Sequence, residues 1–458
     1  MNHHIIICTV ITISALAIAK SCAKNDLSVN MEGKTLNETI PLSEAIVNLE
    51  ETINSISIQT KTNNIPNYDN SDVIVLGNKT LALKTKAGEG IEIPDTLLYI
   101  VNFKDNEGFA VLAADKRISM PVLCITECGS LRENDFEDAI QCLQFNTKAD
   151  DANYREMGEN FVPALLLSSA IASLKEKEEG GNREGEGGEG NDIDYDSDYP
   201  FLVEWSEQGG VPWPSPYGPY IMTKWGQDLD PFNRYTPNQY PAGCATIALA
   251  QVLLANRYSN TMVFNGVTCN WDDMADVYNY LNYESMTNNG SSTGKEQVAN
   301  FVLGLGSSTY LDLAYHSSGS HPSVNHDHGE PLRDAMIALG YSATAEYNYF
   351  SFSENLKRKT YDMLKDGYPV IAQGTSTSGA GGHVWVIDGY CCVIVSFSMG
   401  HYFHINWGWF GERDGYYNLG VFDTTNGVFH SSYDSSILLH QGNALTFNID
   451  FAIIDYSI

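Results

Sequence analysis

The run "KEKEEGGNREGEGGEGNDIDYDSDYP", residues 175–200, limits what this chain can fold into. It is rich in glycine and acid and has no apolar periodicity, so it cannot bury a core and reads as a solvated, flexible linker. The chain therefore divides into a part before it and a part after it. With 458 residues and 43% apolar composition, each side can hold its own core. Exposed, mobile backbone is also what a protease cuts most readily, and this run is the obvious place.

Residues 23–174 read as a small α+β domain. A helical opening around 41–53 precedes the strand-like runs "DVIVLG", "TLLYIVNF" and "GFAVLAAD", and a helical close falls around 161–174. No catalytic constellation is visible there. Residues 201–458 hold all seven tryptophans. Helices are expected after Cys244 and at roughly 272–283, 294–305, 329–339 and 354–366, followed by the strands "YPVIAQG", "HVWVIDGYCCVIVSF", "YFHINWGW", "DGYYNLG" and "ALTFNIDFAIID". Helices first and an antiparallel sheet afterwards make an α+β fold.

Residues 1–22 read as an export signal, because the apolar run at 5–19 is short for a membrane span and suits a signal-peptide core. Two cleavage readings compete. Ala17-Ile18-Ala19 has the pattern of ordinary signal peptidase, whereas "KSC" resembles a loose lipobox with Cys22 lipidated, and the balance favours the lipoprotein despite the atypical Lys20. The net charge of −31 argues against nucleic acid and anionic lipid as partners, since both need basic faces. Lipidation of Cys22 is then the route to membrane anchoring, and the expected location is secreted, periplasmic or on the outer surface.

Nine cysteines, Cys8, Cys22, Cys124, Cys128, Cys142, Cys244, Cys269, Cys391 and Cys392, show neither the spacing of a disulfide framework nor a CxxC pair. Burial suits the others, and Cys244 is the exception. It follows Pro-Ala-Gly and opens "CATIALAQVLLAN", where a helix N-terminus lowers a thiol's pKa. Gly243 allows close approach of a substrate backbone. Taken alone, Cys244 also fits a small buried residue at a helix start. His383 changes the balance: it stands in "GGHVWVIDGY", 139 residues after Cys244, within the roughly 130 to 150 of papain-like enzymes. Asn406 and Trp407 in "HINWGWFGERDGYYNLG" follow by about one hairpin, suited to orient and shield an imidazole. Gln227 in "TKWGQDLDPFN" precedes Cys244 and can supply an oxyanion donor worth about 3 kcal/mol. Oxyanion donor, nucleophile, base and orienter in that order meet the demands of acyl transfer. His316, His321, His326 and His328 lack metal-ligand spacing and read as a solvated loop near a cleft, so neither metal nor cofactor is assigned.

The strings "WGQ…PFN", "AGCATIALAQV", "GGHVWVIDGY" and "NWGW.G..DGYY" together resemble the streptopain family of bacterial cysteine peptidases across 220–425. The resemblance implies a papain-like fold with Cys244 as nucleophile, His383 as general base and acid, Gln227 as oxyanion donor, and Asn406 and Trp407 as supports of His383. "LYIVNFKDNEGFAVLAADKRISMPVL" looks like that family's propeptide. The implied protein is a zymogen of four parts, with signal 1–22, inhibitory domain 23–174, linker 175–200 carrying the activation cut, and peptidase 201–458. Its partners are peptide or protein substrates and its own prodomain. Ala245 stands where the family usually has Val, a small change. "CNWDDM" at 269–274 is assigned to packing. Two rivals remain: a Cys-His amidase acting on cell-wall peptides, and a non-catalytic surface binding protein that keeps the fold.

Overall fold

Ten strands, drawn from both sides of the acidic run, form one antiparallel sheet. They are β1 (Ile74–Leu76), β2 (Leu98–Asn102), β3 (Phe109–Ala113), β4 (Val122–Thr126), β5 (Ser342–Asn348), β6 (Val370–Ser376), β7 (Gly382–Val395), β8 (Ser398–Asn406), β9 (Gly415–Asn418) and β10 (Ile449–Ser457). Their order across the sheet is β1-β2-β3-β4-β9-β8-β7-β6-β10-β5. The computed structural model describes residues 38–60, 66–69, 72–81, 83–84, 93–145, 158–180, 216–257, 262–279, 290–322, 328–349, 351–376, 382–395, 398–424, 428–431, 445–446 and 449–458. Thr39–Ile458 cluster as one compact unit. The class is α+β, as the sequence implies. The reading of an export signal with a lipidated Cys22 falls on residues 1–37, outside the described residues.

The central strands are apolar throughout because both faces are covered. β3 and β4 read "FAVLA" and "VLCIT" with every residue buried, the pattern of a strand packed on two sides. Helix α1 (Leu42–Thr60) packs against β4 and β7, and so touches strands from both sides of the acidic run. Helix α2 spans Glu133–Phe145 and α3 spans Phe161–Gly180. Residues 161–172 of α3 are buried all round, as expected of a helix without a polar face. The sequence ends this helix near 174. It continues to Gly180 because Lys175 to Glu179 are good helix formers, and extending a nucleated helix costs little. The rest of the expected linker, 181–200, lies outside the described residues.

Helix α4 (Cys244–Asn256) is likewise buried along 245–254 and lies on β6 and β7. Helices α5 (Ser292–Leu305), α6 (Glu330–Ala338) and α7 (Glu354–Lys365) follow. Ser291 and Ser353 cap α5 and α7 by accepting from Gly294 N–H and Leu356 N–H, which satisfies donors that a helix start leaves open.

The two halves meet where β4 pairs with β9, in the register Gly415 with Thr126, Tyr416 with Ile125 and Tyr417 with Cys124. Glu127 N–H donates to Asp414 O at 2.8 Å, and Arg413 N–H to Cys128 O at 3.2 Å. The Tyr402 hydroxyl donates to Val122 O at 2.9 Å. Arg413 also donates to Glu159 O and lies within 4.0 Å of the Asp135 carboxylate. Side chains carry charge across the same seam. A bulge between Ile387 and Gly389 turns Asp388 out of the β7 ladder, and its carboxylate takes Ile221 N–H at 3.0 Å and His404 Nδ1 at 2.6 Å. Glu127 Oε1 lies 3.5 Å from His404 Nε2. Burial alone would push His404 down, but Asp388 and Glu127 outweigh it and raise the imidazole to about 10. Burial likewise works against the Glu127 charge, and His404 with Lys224 holds that carboxyl below its usual value.

A lowered carboxyl pKa stabilises above the ordinary value of 4.5 and is lost as pH falls below it. Glu127→Gln is therefore expected to lower the melting temperature at pH 7, by roughly 2–4 °C for each kcal/mol removed. The difference from the parent should begin to shrink only as pH falls below 4.5. A Glu127→Gln protein melting with its parent at pH 7 would show that the charge contributes nothing to the seam.

Candidate active site

Cys244 is the first residue of α4, half-buried and in no disulfide among the described residues. Gly243 precedes it at φ 88°, ψ 139°, a region open essentially to glycine. A Cβ there would sit 2.5 Å from Ser320 O. Gly243 has no side chain with which to cap this helix start, and the first N–H groups of a helix have no partner within the helix itself. Gln227 reaches the same turn through its backbone: its carbonyl accepts Ala242 N–H at 2.7 Å.

His383 opens β7 opposite Gly374 and is 1% exposed. Its Nε2 lies 2.8 Å from Trp407 O. A carbonyl only accepts, so Nε2 carries the proton in this bond and Nδ1 is the basic nitrogen. The ring stacks on Trp409 at 4.5 Å and on Trp407 at 6.0 Å. Asn406 does not hold the ring directly. Its Oδ1 accepts Gly408 N–H at 3.1 Å and Gln251 Nε2 at 2.9 Å, and its Nδ2 donates to Thr223 O at 3.1 Å. Gly408 N and Trp407 O belong to one peptide plane, so Asn406 fixes the plane whose carbonyl binds His383. Trp407 N–H donates to Asp414 Oδ1 at 2.8 Å. Burial raises Asp414 to about 7, against the pull of Lys224 and the Trp407 N–H.

Two contributors escape a reading by residue type. The Trp407 carbonyl is backbone, and Asp414 is one acid in a loop. Gln251 left a signal: it is a large polar residue two turns after Cys244 in a buried helix whose one other buried polar residue is Thr246. Its Oε1 accepts Thr223 Oγ1 at 3.1 Å and Trp225 N–H at 3.3 Å. A third contributor comes from before the acidic run. Phe161, at the start of α3, packs on His383 at 5.8 Å, Trp385 at 5.4 Å and Trp407 at 5.9 Å between ring centroids.

The His-rich segment also reaches this region. Ser320 Oγ donates to Pro241 O, and His316 stacks on His321 at 5.4 Å, 16° from parallel. His328 stacks instead on Tyr347 at 4.0 Å, and His326 lies outside the described residues. Among the described residues no three His, Cys, Asp or Glu side chains are grouped to hold a metal ion.

A thiol at a helix start, within an α+β fold that also buries an oriented imidazole, is the equipment of a cysteine peptidase. Residues 225–417 match the model of the Peptidase C10 family. Streptopain of Streptococcus pyogenes serotype M28 (strain MGAS6180) is 23% identical over 369 residues, covering 73% of this chain and 76% of the relative. Streptopain of serotype M1 aligns with the same identity and coverage. A prointerpain A fragment of Prevotella intermedia superposes with a TM-score of 0.46 at 18% identity, over 78% of this chain and 94% of the fragment. Active interpain A of the same organism gives 0.35 at 22% identity, over 52% and 95%.

The backbone at Gly243 is open to a direct check. Gly243→Ala places a methyl against Ser320 O in a conformation that costs a non-glycine residue about 1–3 kcal/mol. The variant is expected to melt several degrees lower, and its Cys244 to react more slowly with iodoacetamide because the helix start must shift. Parental melting together with parental alkylation would mean that the turn tolerates a side chain.

Proposed function

We propose that the chain is an exported cysteine endopeptidase made as a zymogen. The hydrogen bond from His383 Nε2 to Trp407 O carries this reading, because it leaves Nδ1 as the base for the Cys244 thiol. The thiol proton passes to Nδ1, and the thiolate sulfur attacks the scissile carbonyl carbon. The oxyanion takes hydrogen bonds from Cys244 N–H and the Gln227 amide. The imidazolium returns its proton to the leaving amine, giving a thioester. Water then gives a proton to Nδ1 and attacks the thioester carbonyl, and the thiol is released with the carboxylic acid product.

Residues 23–174 act as the inhibitory prodomain in this reading, and two contacts support it. Phe161 occupies the aromatic wall around His383, where a substrate would approach the base. The β4–β9 pairing fixes the strand that follows the Trp407 turn. Activation is a cut in the acidic run beyond the end of α3. The apolar run at 5–19 supports export, with lipidation of Cys22 as the anchored form.

Cys244→Ala and His383→Ala are each expected to abolish peptide hydrolysis and self-processing of the full chain. Gln227→Ala should lose about 10² to 10³ in kcat as one oxyanion donor is removed. Phe161→Ala should raise hydrolysis by the uncut chain several-fold. Normal turnover by folded Cys244→Ala or His383→Ala protein defeats the catalytic assignment. An uncut Phe161→Ala chain as silent as its parent defeats the inhibitory one.

A further inference from the structure

We propose that Gln251 is a positioning residue that locks the nucleophile helix to the base. The inference rests on the assignment of Cys244 and His383 above. Gln251 lies seven residues, two helical turns, after Cys244, so both sit on one face of α4. It is 1% exposed and two of its bonds are donated to it, by Thr223 Oγ1 and Trp225 N–H. These come from the segment that leads to Gln227. Its Nε2 donates to Asn406 Oδ1 at 2.9 Å. That oxygen also holds Gly408 N–H, and the carbonyl of the same peptide plane holds His383 Nε2. One side chain on the thiol's helix therefore starts a chain of hydrogen bonds that ends on the imidazole. It also ties down the segment that leads to the oxyanion donor.

A buried amide has both properties this place demands. It accepts from the 223–225 segment while donating to Asn406, and neither a carboxylate nor a hydrocarbon of that size does both. Loss of the donor leaves Asn406 Oδ1 with Gly408 alone and lets the Trp407 peptide tilt. Misplacement by about 1 Å costs up to 10²-fold in rate with little change in substrate binding. Gln251 touches neither substrate nor thiol, so its loss acts on kcat rather than KM.

The test compares Gln251→Glu, Gln251→Met and Thr223→Val in the activated enzyme, beside Cys244→Ala. Gln251→Glu keeps the acceptor but carries a donor only when protonated, and burial raises its pKa. Its kcat should be about tenfold down at pH 8 and recover towards the parent at pH 5–6, with KM within twofold. Gln251→Met should be low at every pH, without that recovery. Thr223→Val, which removes one donor to Gln251, should lose two- to fivefold in kcat. A folded Gln251→Glu enzyme with the parent's kcat at pH 8, or one equally depressed at pH 5 and pH 8, overturns the proposal. Should neither Gln251 variant fold, Thr223→Val decides it, an unchanged kcat overturning it. Hydrolysis surviving in Cys244→Ala sinks the underlying assignment instead, whereas a dead Cys244→Ala beside a parental Gln251→Glu sinks this inference alone.

Discussion

The peptide plane between Trp407 and Gly408 is the piece on which the site depends. Its N–H is held by Asn406, its carbonyl takes His383, and the amide before it is anchored by Asp414. Gly408 at φ 77° lets the chain make this turn. The conformation rather than crowding calls for glycine, since a Cβ there would only touch Ile247 at 3.3–3.9 Å. Ile247 lies one turn past Cys244, so the turn leans on the nucleophile helix itself. The rings of Trp407 and Trp409 close over the imidazole and keep water from its hydrogen bond, which is stronger where the local dielectric is low.

The seam between the halves shares groups with that turn. Asp414 holds Trp407 with its side chain and Glu127 with its backbone carbonyl. Two residues of the loop after Trp409, Arg413 and Asp414, therefore bond to the N-terminal half, and Asp414 also holds the Trp407 turn at His383. Buried charges there sit in a network of both signs, with Lys224 and His404 among Glu127, Asp388 and Asp414. Such a cluster is tolerable only while each charge keeps its partners.

Much of this was legible in the sequence. Apolar runs marked β1 to β3 and β6 to β10, and the helix after Cys244 starts where the Pro-Ala-Gly turn places it. The segments carrying Gln227, Cys244, His383 and Asn406 lie on neighbouring elements: α4 packs on β7, β7 pairs with β8, and Gln227 O accepts from the turn before Cys244. β5 was not legible because "SATAEYN" lies at the sheet edge with half of it open to solvent, so its apolar signal is thin. The hold on His383 was not legible because it is a backbone carbonyl, which no residue type announces. The sharing of one sheet by both halves escaped for another reason. Strand partners more than 280 residues apart leave no local pattern, and the acidic run between them suggested independent bodies.

The shared sheet has a consequence for the fate of a cut chain. Breaking the acidic run severs one covalent link and leaves the β4–β9 ladder, the Tyr402 bond and the Arg413 contacts intact, so nicking and separation are distinct events. Separation then bares a strand edge on each piece. Unpaired N–H and C=O groups on such an edge invite pairing with another copy. On the C-terminal side the bared strand is only Gly415–Asn418, flanked by the charges of Arg413 and Asp414. An edge that short, next to charge, gives a second molecule little to grip.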